Sequence, residues 1–103
     1  MSEVDILYRR CIEHWGEKAQ IRQLIEEMAE LTVALLHTER RSKSDESDPW
    51  QEIADVEIML GQVRMIFDEI APGTIDRWRE KKINRLHKRL DDEQYRSEHE
   101  SII

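Results

Sequence analysis

Four acids stand out by their spacing. Glu27 and Glu30 lie three residues apart in "EEMAEL", residues 26–31, and Glu52 and Asp55 lie three apart in "QEIADV", residues 51–56. Residues at i and i+3 are neighbours on a helix surface, so each pair presents two carboxylates to one spot. Such a pair repels itself, and burying even one unpaired charge is costly. Something positive must compensate. Two facing helices with a carboxylate pair each make a site rich in oxygen ligands, which suits Mg²⁺ or Mn²⁺ and is not what Zn²⁺ prefers. The plain alternative is an ordinary charged surface: the chain has 23 Asp and Glu, and its Arg and Lys can pair with them.

Direction separates these acids from their neighbours. At about 100° of rotation per helical residue, Val56, Met59, Val63 and Ile70 fall within roughly 40° of Glu52. Glu52 therefore shares an apolar stripe, Asp55 sits at its edge, and Glu57 falls on the far flank. On the preceding helix, Glu27 lies beside the line through Leu24 and Leu31. Glu30 is one step further round, and Glu26 points outward.

The elements that must position these residues read as helices. Only 3 Gly and 2 Pro punctuate 103 residues, charged residues make up 38% and aromatics 6%. That composition favours long helices over a sheet. A first helix is predicted over residues 3–15, capped by Ser2 with Asp5 at the third helical position and stopped by Gly16. It carries Val4, Leu7, Tyr8, Cys11, Ile12 and Trp15 at helical spacing. A second runs over about 18–40, with Ile21, Leu24, Ile25, Met28, Leu31, Leu35 and Leu36 as its stripe. "RSKSDESDP", residues 41–49, reads as a flexible loop. Asp48 as N-cap, Pro49 as first residue and Gln51 as capping partner start a third helix, which runs to about Ile70. "APGT", residues 71–74, breaks it. The last helix begins near Thr74, and from Asp91 onward weak periodicity leaves a tail that either continues it or frays.

Four helices with short links predict a single all-α domain, an antiparallel helical bundle. On the third helix Ile53, Val56, Leu60, Val63 and Phe67 face one way, and Ala54, Ile58 and Met65 another. A second apolar face points to a subunit interface, and so to a dimer or tetramer. The net charge of −7 argues against a nucleic-acid binder. No apolar run approaches a membrane span, the N-terminus lacks a signal layout, and Cys11 has no internal partner, so a cytoplasmic protein is the expectation. The four histidines show no i,i+4 pairing, which argues against zinc, and no glycine-rich phosphate loop is present.

The acid pairs, with 21 residues between Glu30 and Glu52, resemble the E-x-x-E and E-x-x-D motif of the MazG-type all-α nucleoside triphosphate pyrophosphohydrolases. "HWGEKAQIRQLIEEMAEL" and "KKINRLHKRL" are also similar to small phage- and bacteria-type members, so the resemblance spans roughly residues 13–90. It implies a bundle that assembles as a dimer or tetramer. It implies that Glu27, Glu30, Glu52 and Asp55 hold Mg²⁺ for cleavage of a nucleoside triphosphate to monophosphate and pyrophosphate. Where many relatives carry a lysine four residues before the asparagine of the last helix, this chain has Glu80, with lysines at 81 and 82 instead.

Other residues complement that chemistry. Residues 77–89, "RWREKKINRLHKR", hold seven Arg or Lys against one Glu. Lys82 and Arg85, beside the seam of Ile75, Ile83, Leu86 and Leu90, are the first candidates for phosphate contacts, followed by Lys81 and Asn84. A solvated basic face is the alternative for each. Gln20 and Trp15 can hold a base by hydrogen bonding and stacking, although core packing is the simpler role for Trp15. Two other functions fit parts of the pattern. One is a non-catalytic helical module docking an acidic partner through its basic helix; the other is the same chemistry on phosphoribosyl-ATP or a specific deoxynucleotide.

Overall fold

The structure, a computed structural model, describes residues 1–40 and 48–100. Four helices form: α1 (Glu3–Trp15), α2 (Glu17–Arg40), α3 (Pro49–Ile70) and α4 (Thr74–Glu100), with no strand among the described residues. The chain is all-α. It divides into two compact units, Met1–Ile70 and Ala71–Ile103. No helix is long and apolar enough to cross a membrane. Most of the expected loop, residues 41–47, lies outside the described residues.

Local chemistry sets the helix ends. Ser2 Oγ accepts from the Asp5 N–H at 3.1 Å, and Asp5 Oδ2 accepts from the Ser2 N–H at 3.2 Å. This reciprocal pair satisfies two donors that a helix start otherwise leaves open. Gly16 ends α1 with φ +95°, a conformation that side chains rarely adopt, and its N–H donates to the Ile12 carbonyl at 2.8 Å. At the start of α3, Asp48 Oδ1 accepts from the Gln51 N–H at 3.2 Å, with Pro49 in the first helical position.

The seam of the first unit lies between α2 and α3. Gln20, Leu24 and Ala34 are buried on α2, and Met59, Gln62, Val63 and Ile66 on α3. Leu24, Met59 and Val63 form its centre, with Ile21 and Val56 packed against them. Gln20 meets Gln62, while Glu27 lies near Glu52 and Asp55, so the two helices run antiparallel. The buried face differs from the stripes read in the sequence. Leu35 and Leu36 on α2, and Ile53, Leu60 and Phe67 on α3, are exposed in the single chain, while the small Ala34 is buried, at 1% exposure. Large apolar side chains surround most of α3, so periodicity alone does not choose its face.

α1 buries no residue fully. Arg9 pairs with Glu69 of α3, and the ring of Tyr8 lies over Gly61. A Cβ built on Gly61 would stand 2.6 Å from Tyr8 Cε2, so this mid-helix glycine makes room for the ring.

In the second unit, α4 extends through the tail to Glu100. No Gly or Pro interrupts residues 75–100, and Arg89 Nε pairs with Glu93 Oε1, four residues on, at 3.0 Å. Ile75 and Ile83 are half-buried, and Trp78, Leu86 and Leu90 are exposed.

Gly61→Ala tests the Tyr8 contact. Overpacking should outweigh the better helix propensity of Ala and destabilise the fold by about 1 kcal/mol. In a Tyr8→Ala background the same change should stabilise by about 0.5–1 kcal/mol. Urea unfolding of the four proteins reads both signs.

Candidate metal centre and adjoining pocket

Antiparallel packing places the first turns of α3 against the middle of α2. Glu27, Glu52 and Asp55 each offer a carboxylate oxygen, and these oxygens lie within 4.8 Å of one another. All three residues are half-buried. Among the described residues they are the one group of three such side chains spaced to hold a metal ion. Glu26 and Glu57 are exposed, as their direction on the helices implies.

The cluster is unbalanced. Glu27 Oε1 accepts from Gln23 Nε2 at 2.9 Å. Glu27 Oε2 and Glu52 Oε2 are shielded from solvent and have no hydrogen-bond partner among the described residues. Two shielded carboxylate oxygens without partners are costly unless a cation or a proton reaches them. The donor set is all carboxylate, which fits a hard divalent cation.

Glu30 stands at the exposed rim, outside the tightest three. Its carboxyl is held above its ordinary value of 4.5, first by the charge of Glu27, then by partial desolvation beside its neighbours and by the charge of Glu52. A proton on Glu30 can be shared with Glu27 or Glu52. The four expected acids thus come together as three close carboxylates with a fourth coupled to them.

One apolar layer away along the seam lies a pocket of about 340 Å³, lined by Trp15, Ala19, Gln20, Gln23, Met59 and Gln62. The Gln20 amide donates to Gln62 Oε1 at 2.6 Å, and Gln62 Nε2 donates to Met59 Sδ at 3.8 Å. Both glutamines are buried, at 6% and 4% exposure. Trp15 is not a core residue: it is 61% exposed, at the end of α1 where Gly16 turns the chain. The His14 ring stands edge-on to it, with centroids 5.0 Å apart. The site offers an aromatic face beside buried amides.

Gln23 and Gln62 were not singled out in the sequence. Gln23 precedes Glu27 by four residues, which is hydrogen-bonding distance on a helix. Gln62 lies near the stripe of Met59 and Val63, the same kind of signal that marks Glu52. Lys81, Lys82, Asn84 and Arg85 lie on α4 in the second unit, all exposed. Lys81 Nζ and Lys82 Nζ stand 5.2 Å and 6.0 Å from the Trp78 ring centroid, within reach of a cation–π attraction.

The raised Glu30 carboxyl gives a pH dependence with a definite sign. The folded state holds the proton more tightly than the unfolded chain, so Glu30 favours folding below about pH 4.5 and opposes it once pH rises through its raised value. Without divalent cations, Glu30→Gln should therefore raise the melting temperature at pH 7. The gain should vanish toward pH 4, as paired thermal melts would show.

No family model matches the chain, and no curated protein or solved structure matches it. Its residues and their geometry carry the reading of the site.

Proposed function

We propose that this chain is a Mg²⁺-dependent nucleoside triphosphate pyrophosphohydrolase, converting a nucleoside triphosphate and water to the monophosphate and pyrophosphate. The observation that carries this reading is the close set of Glu27, Glu52 and Asp55, with shielded, unpartnered oxygens on Glu27 and Glu52. Glu27, Glu52 and Asp55, with Glu30 at the rim, hold the cation; Mn²⁺ fits the same oxygens. When bound, it offsets the carboxylate charge, binds phosphate oxygens and makes a water more acidic. The Trp15 face and the Gln20–Gln62 amide pair receive the base. Lys82 and Arg85, then Lys81 and Asn84, remain the candidates for phosphate contacts in this reading.

A homodimer or homotetramer belongs to the same reading. Five apolar residues are buried among the described residues, while Ile25 and Leu35 on α2 and Ile58, Leu60 and Phe67 on α3 remain exposed. A second copy covers such a surface with matching chemistry. A cytoplasmic setting, where nucleoside triphosphates are held, completes it.

Incubation with a panel of ribo- and deoxyribonucleoside triphosphates, with and without Mg²⁺, should give monophosphate and pyrophosphate only with the metal. Diphosphate and phosphate would indicate another reaction, and no turnover of any substrate would favour an interaction module. Glu52→Gln should lower kcat/KM by more than about 100-fold, the upper end of what loss of an outer-shell partner costs. Its fold should be intact or more stable, because a like charge is removed. A wild-type rate in this variant would overturn the ligand assignment.

A further inference from the structure

Gln23 touches both halves of the site. Its amide donates to Glu27 Oε1 at 2.9 Å, and the same side chain lines the Trp15 pocket. The halves are otherwise apart. Gln20 and Glu27 are seven residues apart on α2, about 10 Å of helix, and buried Leu24 lies between them.

Building on the function proposed above, we propose that Gln23 is a positioning residue that orients Glu27 toward the cation and couples filling of the pocket by a planar heteroaromatic ring to divalent-cation affinity at the carboxylates. Glu27 lies in a cluster whose like charges drive it to swing outward. The hydrogen bond from Gln23 opposes that swing by fixing Oε1, and it leaves Oε2 shielded and unpartnered among the described residues. Hydrogen bonds that orient a ligand from outside the metal shell commonly carry 10–100-fold in metal affinity.

The second half follows from the amide's remaining capacity. Glu27 uses one N–H of Gln23, which leaves a second N–H and a carbonyl oxygen. Gln20 and Gln62 are tied to each other at the back of the pocket. A flat ring resting against Trp15 and hydrogen-bonded by Gln23 limits the rotamers of that side chain and preserves its bond to Glu27. Part of the ordering that a cation needs is then already in place. The coupling is reciprocal: the cation strengthens ring binding by the same factor.

Mn²⁺ binding, followed by the electron paramagnetic resonance signal of the free ion, tests this without turnover. The wild type is compared with Gln23→Met, which keeps shape and helix propensity but removes the donor; Gln23→Leu serves if that variant does not fold. Each is titrated alone and with adenosine, guanosine, cytidine or thymidine, which carry no phosphate to touch the ion. The variant is expected to bind Mn²⁺ about 10–100-fold more weakly with an unchanged helical circular dichroism spectrum. At least one nucleoside is expected to tighten Mn²⁺ binding to the wild type by about fivefold or more, and this gain should be absent in the variant. A merely structural role for Gln23 would leave the nucleoside gain in place. Equal Mn²⁺ affinities, a gain that persists in the variant, or no gain with any nucleoside in the wild type would overturn the proposal. If the wild type binds no Mn²⁺, the carboxylate reading itself falls, an outcome distinct from failure of the Gln23 link alone.

Discussion

Like-charge repulsion inside the α2–α3 seam is the constraint around which the first unit is organised. Leucines could close the seam at Glu27 and Glu52, where the helices already bring an apolar stripe. Instead three carboxylates lie within 4.8 Å of one another, with a fourth coupled to them. A proton and a cation are alternative answers to this repulsion. At Glu30, on the exposed rim, the charges of Glu27 and Glu52 raise the affinity for a proton. Glu27 Oε2 and Glu52 Oε2 are shielded and have no hydrogen-bond partner among the described residues. A divalent ion reaches several carboxylates at once, whereas one proton bridges two oxygens.

The rest of the seam keeps this repulsion local. Gln20 and Gln62 form an amide layer, and Leu24, Met59 and Val63, with Ile21 and Val56, form an apolar layer. The acids form the next layer. The apolar layer supplies the favourable burial that holds α2 against α3 and fixes their register. Within the amide layer Gln20 donates to Gln62, so it adds polarity without an unpaired charge. The repulsion is thus local to the first turns of α3 and the middle of α2.

Much of this was legible in the sequence where local rules decide. Ser2, Gly16, Asp48 and Pro49 set helix boundaries because caps and turns depend on a few adjacent residues. The acids were legible because carboxylates in an apolar stripe conflict with packing. The buried face of α3 was less so. Ile53, Leu60 and Phe67 are as apolar as Met59 and Val63, and only the tertiary partner decides between them. Ala34 was less legible because a small side chain adds little to an apolar stripe, although it is the most buried of the described apolar residues. Trp15 looked like core, but its place at the end of α1 leaves it on a pocket wall. Gln23 and Gln62 owe their importance to partners on a neighbouring turn or helix, which composition does not reveal.

Division of the seam into layers also bears on selectivity under the proposed function. An amide layer would recognise an uncharged ring through directional hydrogen bonds. An acid layer repels a bare polyanion and accepts one only with a cation present. A ligand matching both has a neutral, hydrogen-bonding ring at one end and a phosphate chain at the other, about 10 Å of helix apart. Neither layer alone specifies such a molecule. The amides would accept many heterocycles, and the carboxylates would accept any chelated phosphate. Under that reading, their fixed separation on one pair of packed helices would turn two permissive contacts into a selective one, and the packing of α2 against α3 sets that separation.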